Sequence, residues 1–190
     1  MSGTPLLRME NISCIRGGRL LFEGIDLSLD SGGAAVISGP NGSGKSSLIR
    51  VAAGLLRTSG GAVTRAGTVA LADEGLALDQ KLTLRRALEF WAEMDEGSAE
   101  RGMEALGLSL LAEVPVRMLS TGQRKRATLA RVVSSGAPLW LLDEPLNGLD
   151  AEGAERLTSA MAEHRRSGGA IVAATHQPID LSSTAEVRLG

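Results

Sequence analysis

Hydrophobic and polar positions follow two rhythms along the chain. LLRMENISCI (residues 6–15) and GIDLSLD (residues 24–30) alternate at every second residue, which predicts antiparallel strands with one face on a core. AAVIS (34–38), VALA (69–72), WLLD (140–143) and AIVAAT (170–175) are short continuous apolar runs, as expected of parallel strands buried on both faces. Helical spacing follows in KSSLIRVAAGLL, with TSGG at residues 58–61 as its stop. Between VALA and WLLD the pattern predicts three helices, LTLRRALEFWAEM, SAERGMEALG and TGQRKRATLARVVSS. A last helix is predicted over residues 150–166, with Asp150 as N-cap and Gly168 and Gly169 ending it. Together these predict one α/β domain over residues 1–190, with a helical subdomain inserted at about 75–135.

Composition narrows the class. A chain that is 43% hydrophobic and 22% charged is expected to be soluble and globular. Its net charge of −2 gives no basic field for nucleic acid or an anionic membrane. The opening MSGTPLLRMEN has no charged segment followed by an apolar one, so no leader is expected, and no run approaches the ~18 apolar residues of a membrane span. We therefore expect a cytosolic chain, and the few residues after His176 predict no appended domain. Cys14 has no partner cysteine and is expected as a small buried hydrophobe. His164 is expected at the surface as a partner of its helix dipole, and Phe90 and Trp91 in the core, with docking of one of them on a partner helix as the alternative. Among the 20 cations only Lys45, Lys81 and Lys125 are lysines.

Lys45 lies in GPNGSGKSS, which satisfies the phosphate-loop pattern G-x-x-x-x-G-K-[ST] between an apolar strand and a helix. In such a loop Gly39, Pro40, Asn41, Gly42, Ser43 and Gly44 curl so that successive backbone N–H groups meet phosphate oxygens. Ser46 and Ser47 open the helix, whose N-terminal dipole also favours an anion. Lys45 is then expected at the β- and γ-phosphates and the Ser46 hydroxyl on Mg²⁺. WLLDE ends in two acids with separate expected roles: Asp143 toward Mg²⁺, Glu144 toward the attacking water as general base. His176 ends the next apolar run, where ligands bind in open α/β sheets, and is expected at the γ-phosphate.

These motifs, with LSTGQ at 119–123 and LNGLD at 146–150, stand in one order and resemble the ATP-binding-cassette ATPases over essentially the whole chain. The resemblance implies a P-loop NTPase core, an N-terminal antiparallel β-subdomain, the inserted helical subdomain, and ATP with Mg²⁺ as ligands. It also implies an ATP-sandwich dimer of two copies of the chain, in which Ser120, Gly122 and Gln123 of one copy face the nucleotide held by the other, with Asp150 in the loop between them. Three positions depart from the family pattern. Thr121 replaces a signature glycine, and the usual adenine-stacking aromatic is missing, leaving Arg16 as a planar substitute. Glu74 takes the place of the glutamine that ordinarily reaches Mg²⁺.

Within the family, RGGRLLF, the long match around the phosphate loop, FWAEM and THQ resemble the haem-exporter ATP-binding subunits of the cytochrome c maturation system. That resemblance implies a peripheral subunit on the cytoplasmic face of the bacterial inner membrane, bound to the integral membrane subunits of that system. Haem export, or release of a haem chaperone, would be driven by its ATP hydrolysis. No direct haem binding is expected, because there is no Cys-x-x-Cys-His and only two histidines. An ATPase subunit of a different exporter would carry the same motifs. A nucleic-acid-bound cassette protein lacks support in the charge, and a small-molecule kinase has no use for LSTGQ.

Overall fold

The computed structural model describes residues 4–75, 77–94, 96–179, 181 and 184–190. Residues 1–3 of the stretch read for a leader, and Leu76 and Asp95 of the expected helical insertion, lie outside these.

The two hydrophobic rhythms become two sheets. Strands β1 (Leu7–Arg16) and β2 (Arg19–Leu29) form a hairpin around Gly17 and Gly18, both at positive φ as a two-residue turn requires. On the other edge of β1 lies β4 (Gly60–Arg65), giving an antiparallel sheet in the order β2-β1-β4. This strand was not expected, because its Gly60 and Gly61 read as a stop. The glycine has a structural reason: β1 bulges at Asn11, and a Cβ on Gly61 would lie 2.3 Å from the Glu10 carbonyl oxygen.

The continuous apolar runs form a five-stranded parallel sheet. Its members are β3 (Ala34–Ser38), β5 (Val69–Ala72), β6 (Leu139–Asp143), β7 (Ala170–Ala174) and β8 (Ala185–Arg188), in the order β5-β6-β7-β3-β8. β8 was also missed: AEVR buries only Val187 and pairs at the edge. Both faces of the sheet are covered. In β6, Leu139 and Leu141 pack with α1 (Lys45–Ala53) and the antiparallel sheet, whereas Trp140 and Leu142 pack with the helices between β5 and β6. Each such fully buried side chain contributes roughly 1.5–3 kcal/mol of transfer free energy. Cys14 is buried in the first of these layers, as expected.

Among the described residues three α-helices separate β5 from β6: α2 (Leu84–Met94), α3 (Ala99–Ala105) and α4 (Thr121–Ser134). Gly102 lets α3 press on α4, since a Cβ there would lie 2.3 Å from the Ala130 carbonyl oxygen. Trp91 is partly buried; its indole N–H donates to the Ala77 carbonyl at 2.8 Å and its ring lies under the Arg131 guanidinium. Phe90 corrects an expectation, being 56% exposed on the outer face of α2 beside Met94. Positions 90 and 94 share a helix face turned away from α4, and the pattern of α2 supplies enough Leu and Ala to fill its inner face without them.

A final helix, α5 (Ala151–Arg166), begins at Asp150, whose carboxylate accepts the Gly153 N–H at 2.8 Å. His164 in its last turn is buried, 6% exposed, and stacked on Trp140 with ring centroids 3.8 Å apart. It is therefore no surface partner of the dipole. Gly169 makes this close packing possible, since any Cβ there would overlap the imidazole.

Candidate nucleotide site

The strand order places the chemistry. β6, β7 and β3 are neighbours, and Asp143 pairs with Ala174, which in turn pairs with Ile37. The acids at the end of β6, the histidine after β7 and the glycine loop after β3 therefore leave the sheet side by side at the carboxyl ends of the strands. A cavity of about 550 Å³ opens there. The loop contributes Asn41, Gly42, Gly44, Lys45, Ser46 and Ser47 to its lining; Glu144, Asn147 and His176 come from the loops after β6 and β7. Arg16 and Leu21 enter from the β1–β2 hairpin and Glu74 from the loop after β5.

The loop can only be built from glycine at its tight points. Gly39 has φ 147°, and a Cβ would sit 2.4 Å from the Leu189 carbonyl oxygen. Gly44, at φ 103°, caps α1 without a side-chain bond, leaving the first N–H groups of that helix to face the cavity. Lys45 folds back over the loop: Nζ donates to the carbonyls of Gly39 at 2.9 Å and Pro40 at 3.3 Å, and lies 3.8 Å from Glu144 Oε1. Ser43 is tucked under the loop, with its hydroxyl buried.

Asp143 is 4% exposed, and its Oδ1 is buried without a hydrogen-bond partner. Burial pushes its carboxyl above the usual range, while the facing Ser46 hydroxyl favours the charged form. Glu144 differs sharply from its neighbour. Its backbone is left-handed, φ 46°, a conformation that costs a glutamate roughly 1–2 kcal/mol. The turn aims the side chain away from the sheet, so that Oε2 meets His176 Nδ1 at 2.9 Å. Sequence reasoning gave Glu144 and His176 separate tasks; their direct contact was not foreseen, since thirty-odd residues separate them in the chain. The Glu144 carbonyl accepts from Lys125 Nζ at 3.0 Å, a contact also missed. Its one trace in the sequence is a lysine in an arginine-preferring chain.

Ser120, Gly122, Gln123 and Asp150 do not line this cavity. Ser120 caps α4: its Oγ accepts the Gln123 N–H at 3.3 Å, and its own N–H donates to Gln123 Oε1 at 2.8 Å. Gly122 approaches Gly148 in the loop that leads to Asp150.

A phosphate-type loop, a buried strand-end acid and a glutamate–histidine contact around one cavity define a P-loop ATPase. Comparison with known proteins gives the family. The ABC transporter family model matches residues 22–147. The cytochrome c biogenesis ATP-binding export protein CcmA of Sphingopyxis alaskensis is 53% identical over 98% of this chain and 98% of its own length. The protein of the same name from Novosphingobium aromaticivorans is 55% identical over 90% and 88%. A solved ATP-binding subunit of an ABC transporter superposes with a TM-score of 0.81 at 25% identity, over 90% of this chain and 79% of that one. The chain belongs to the ABC transporter family, alongside the cytochrome c biogenesis ATP-binding export proteins.

Proposed function

We propose that the chain is the ATP-hydrolysing subunit of a membrane transporter complex for cytochrome c biogenesis, acting in haem export or release of a haem chaperone. The observation that carries the chemistry is Glu144 held between Lys45 and His176 at the mouth of the phosphate loop. The backbone N–H groups of Gly42 and Gly44 and the start of α1 cradle the phosphates, with Lys45 on the β- and γ-phosphates. Arg16, with Leu21 beside it, supports the adenine.

Asp143 and Ser46 suit Mg²⁺: a buried carboxylate oxygen without a partner faces a hydroxyl at the loop, the oxygen chemistry a hard cation takes. Among the described residues no three His, Cys, Asp or Glu gather to hold a metal alone, in keeping with an ion that relies on the nucleotide's own phosphates. Bound there, the ion would neutralise charge developing on the phosphate oxygens. Glu74, at the cavity edge, is its outer acidic neighbour. Glu144 accepts the proton of the attacking water, and His176 orients Glu144 and reaches toward the γ-phosphate.

What supports pairing is the place of Ser120, Gly122 and Gln123 outside the cavity. These residues form an N-terminal helix cap away from their own chain's cavity, where the phosphates met would be those held by a second copy. Two chains then enclose two ATPs, and hydrolysis removes the link. A single domain with its helices 75–135 as the arm toward the partner fits this cycle, and exposed Phe90 and Met94 offer an apolar contact for an integral membrane subunit. No helix among the described residues is long and apolar enough to cross a membrane, so attachment to the inner face would run through such a partner.

The test is a tagged pull-down of Glu144→Gln with Mg-ATP from detergent-solubilised native membranes. We expect normal ATP binding, turnover reduced by about two orders of magnitude or more, and recovery of the cytochrome c maturation membrane subunits. An unrelated permease in their place would overturn the pathway; wild-type turnover would overturn the general base.

A further inference from the structure

Lys125 sits one turn into α4, inside the same LSTGQRKR stretch that caps the helix, yet it faces its own chain's catalytic loop. Its ammonium is partly buried and donates to the Glu144 carbonyl at 3.0 Å. That carbonyl also accepts the Asn147 N–H at 3.2 Å, and the Glu144 N–H donates to the Ala174 carbonyl at 2.8 Å. Both peptide groups flanking the left-handed Glu144 are thus pinned. A residue in a sparsely populated backbone region keeps it only while its surroundings over-determine it.

The charge around Lys125 is lopsided. Burial pushes the Lys125 ammonium's pKa down, against Asp143, Glu144, Glu74 and Asp73, which all favour the charged form. Of the other cations here, Arg50 lies 3.8 Å from Asp73 and Lys45 closes on the phosphate loop. Glu74 also adds its negative field to Asp143. An acid at position 74 adds repulsion where a triphosphate must bind, and Lys125 is a nearby cation that the loop does not engage.

We propose that Lys125 is a positioning residue for hydrolysis, holding the strained Glu144 peptide from α4 and supplying the positive charge that offsets Glu74. This rests on the reading of Glu144 as general base. It ties two halves of the machine together, because Ser120 caps the helix that carries Lys125. Contact made at that cap is one helical turn from the group that fixes Glu144.

The experiment is a double-mutant cycle on the full chain, reading Mg-ATP turnover, nucleotide affinity by titration with a fluorescent ATP analogue, and thermal unfolding. Lys125→Met is expected to lower kcat by about tenfold or more while nucleotide affinity changes by less than about threefold. Adding Glu74→Gln to it is expected to restore kcat by at least about threefold, whereas Glu74→Gln alone brings no such gain. Lys125→Gln, which keeps a donor and loses the charge, serves if the Met variant fails to fold, and must show the same rescue. Turnover of Lys125→Met within twofold of wild type, or purely additive effects with Glu74→Gln, overturns the proposal and leaves the Glu144 reading standing. Wild-type turnover in Glu144→Gln removes both.

Discussion

Asp143 carries a cost that the fold accepts for the sake of the site. Its carboxyl is buried, one oxygen has no partner, and its folded pKa is raised by that burial. A carboxyl whose folded pKa exceeds its unfolded value contributes stability in acid that is lost as pH rises through the folded value. At neutral pH the ionised Asp143 therefore opposes folding. Asp143→Asn should raise the unfolding temperature of the nucleotide-free and metal-free protein at pH 7 to 8, with the gain shrinking toward pH 4, while ATP turnover collapses. Thermal unfolding across that range checks the sign. A variant less stable than wild type at pH 7 would mean that Asp143 is satisfied by contacts other than the facing Ser46. Glu144 carries the second local cost, in its backbone. Adjacent acids thus bear different strains because one ends a strand and the other turns out of it.

At the scale of elements, α4 shows one feature answering to two demands. The Ser120–Gln123 capping box satisfies N–H groups that would otherwise be orphaned, and it would do so in any isolated helix. The pairing reading asks the same residues to meet a partner's phosphates. Substitution separates the two. Ser120→Ala should cost about 1 kcal/mol of stability, roughly 2–4 °C for a chain of this size. Ser120→Asp keeps an N-cap acceptor and should leave the unfolding temperature near wild type, yet abolish ATP-dependent pairing by setting a carboxylate against the γ-phosphate. Size-exclusion chromatography of both in the Glu144→Gln background distinguishes them; pairing of the Asp variant would sink the phosphate role.

Elements with a strong period were legible from sequence: the β1–β2 alternation, the four apolar runs, and the helices, with the Asp150 cap. β4 and β8 were not, because GGAVTR looks like punctuation and AEVR is four residues with one buried side chain. The loop and the strand-end acids could be found because their chemistry depends on local spacing. The Lys125 contact depends on α4 packing beside the turn after β6, and nothing local encodes that.

At the scale of the whole molecule, the nucleotide cavity occupies the carboxyl ends of β3, β6 and β7, and His164 closes the structure at their opposite ends. It joins α5 to Trp140 near the start of β6 and to Gly169 just before β7, with Nε2 buried and unpaired. Burial holds its pKa down at about 4, against 6.5 for an unhindered imidazole, because charging it would place a cation in an apolar layer. A depressed folded pKa means that the unfolded chain takes up the proton first. The stability His164 contributes is present above pH 6.5 and is lost as pH falls toward about 4, a total of about 3 kcal/mol. Urea unfolding at steps between pH 7 and 4.5 should show wild type losing stability more steeply than His164→Gln, with the two curves converging in acid. ATP affinity at pH 7 should be the same in both, since the sheet lies between this histidine and the phosphate loop. Parallel curves would mean that His164 is already charged in the folded protein, with an acceptor at Nε2; altered ATP affinity would mean that the two ends of the sheet are mechanically coupled.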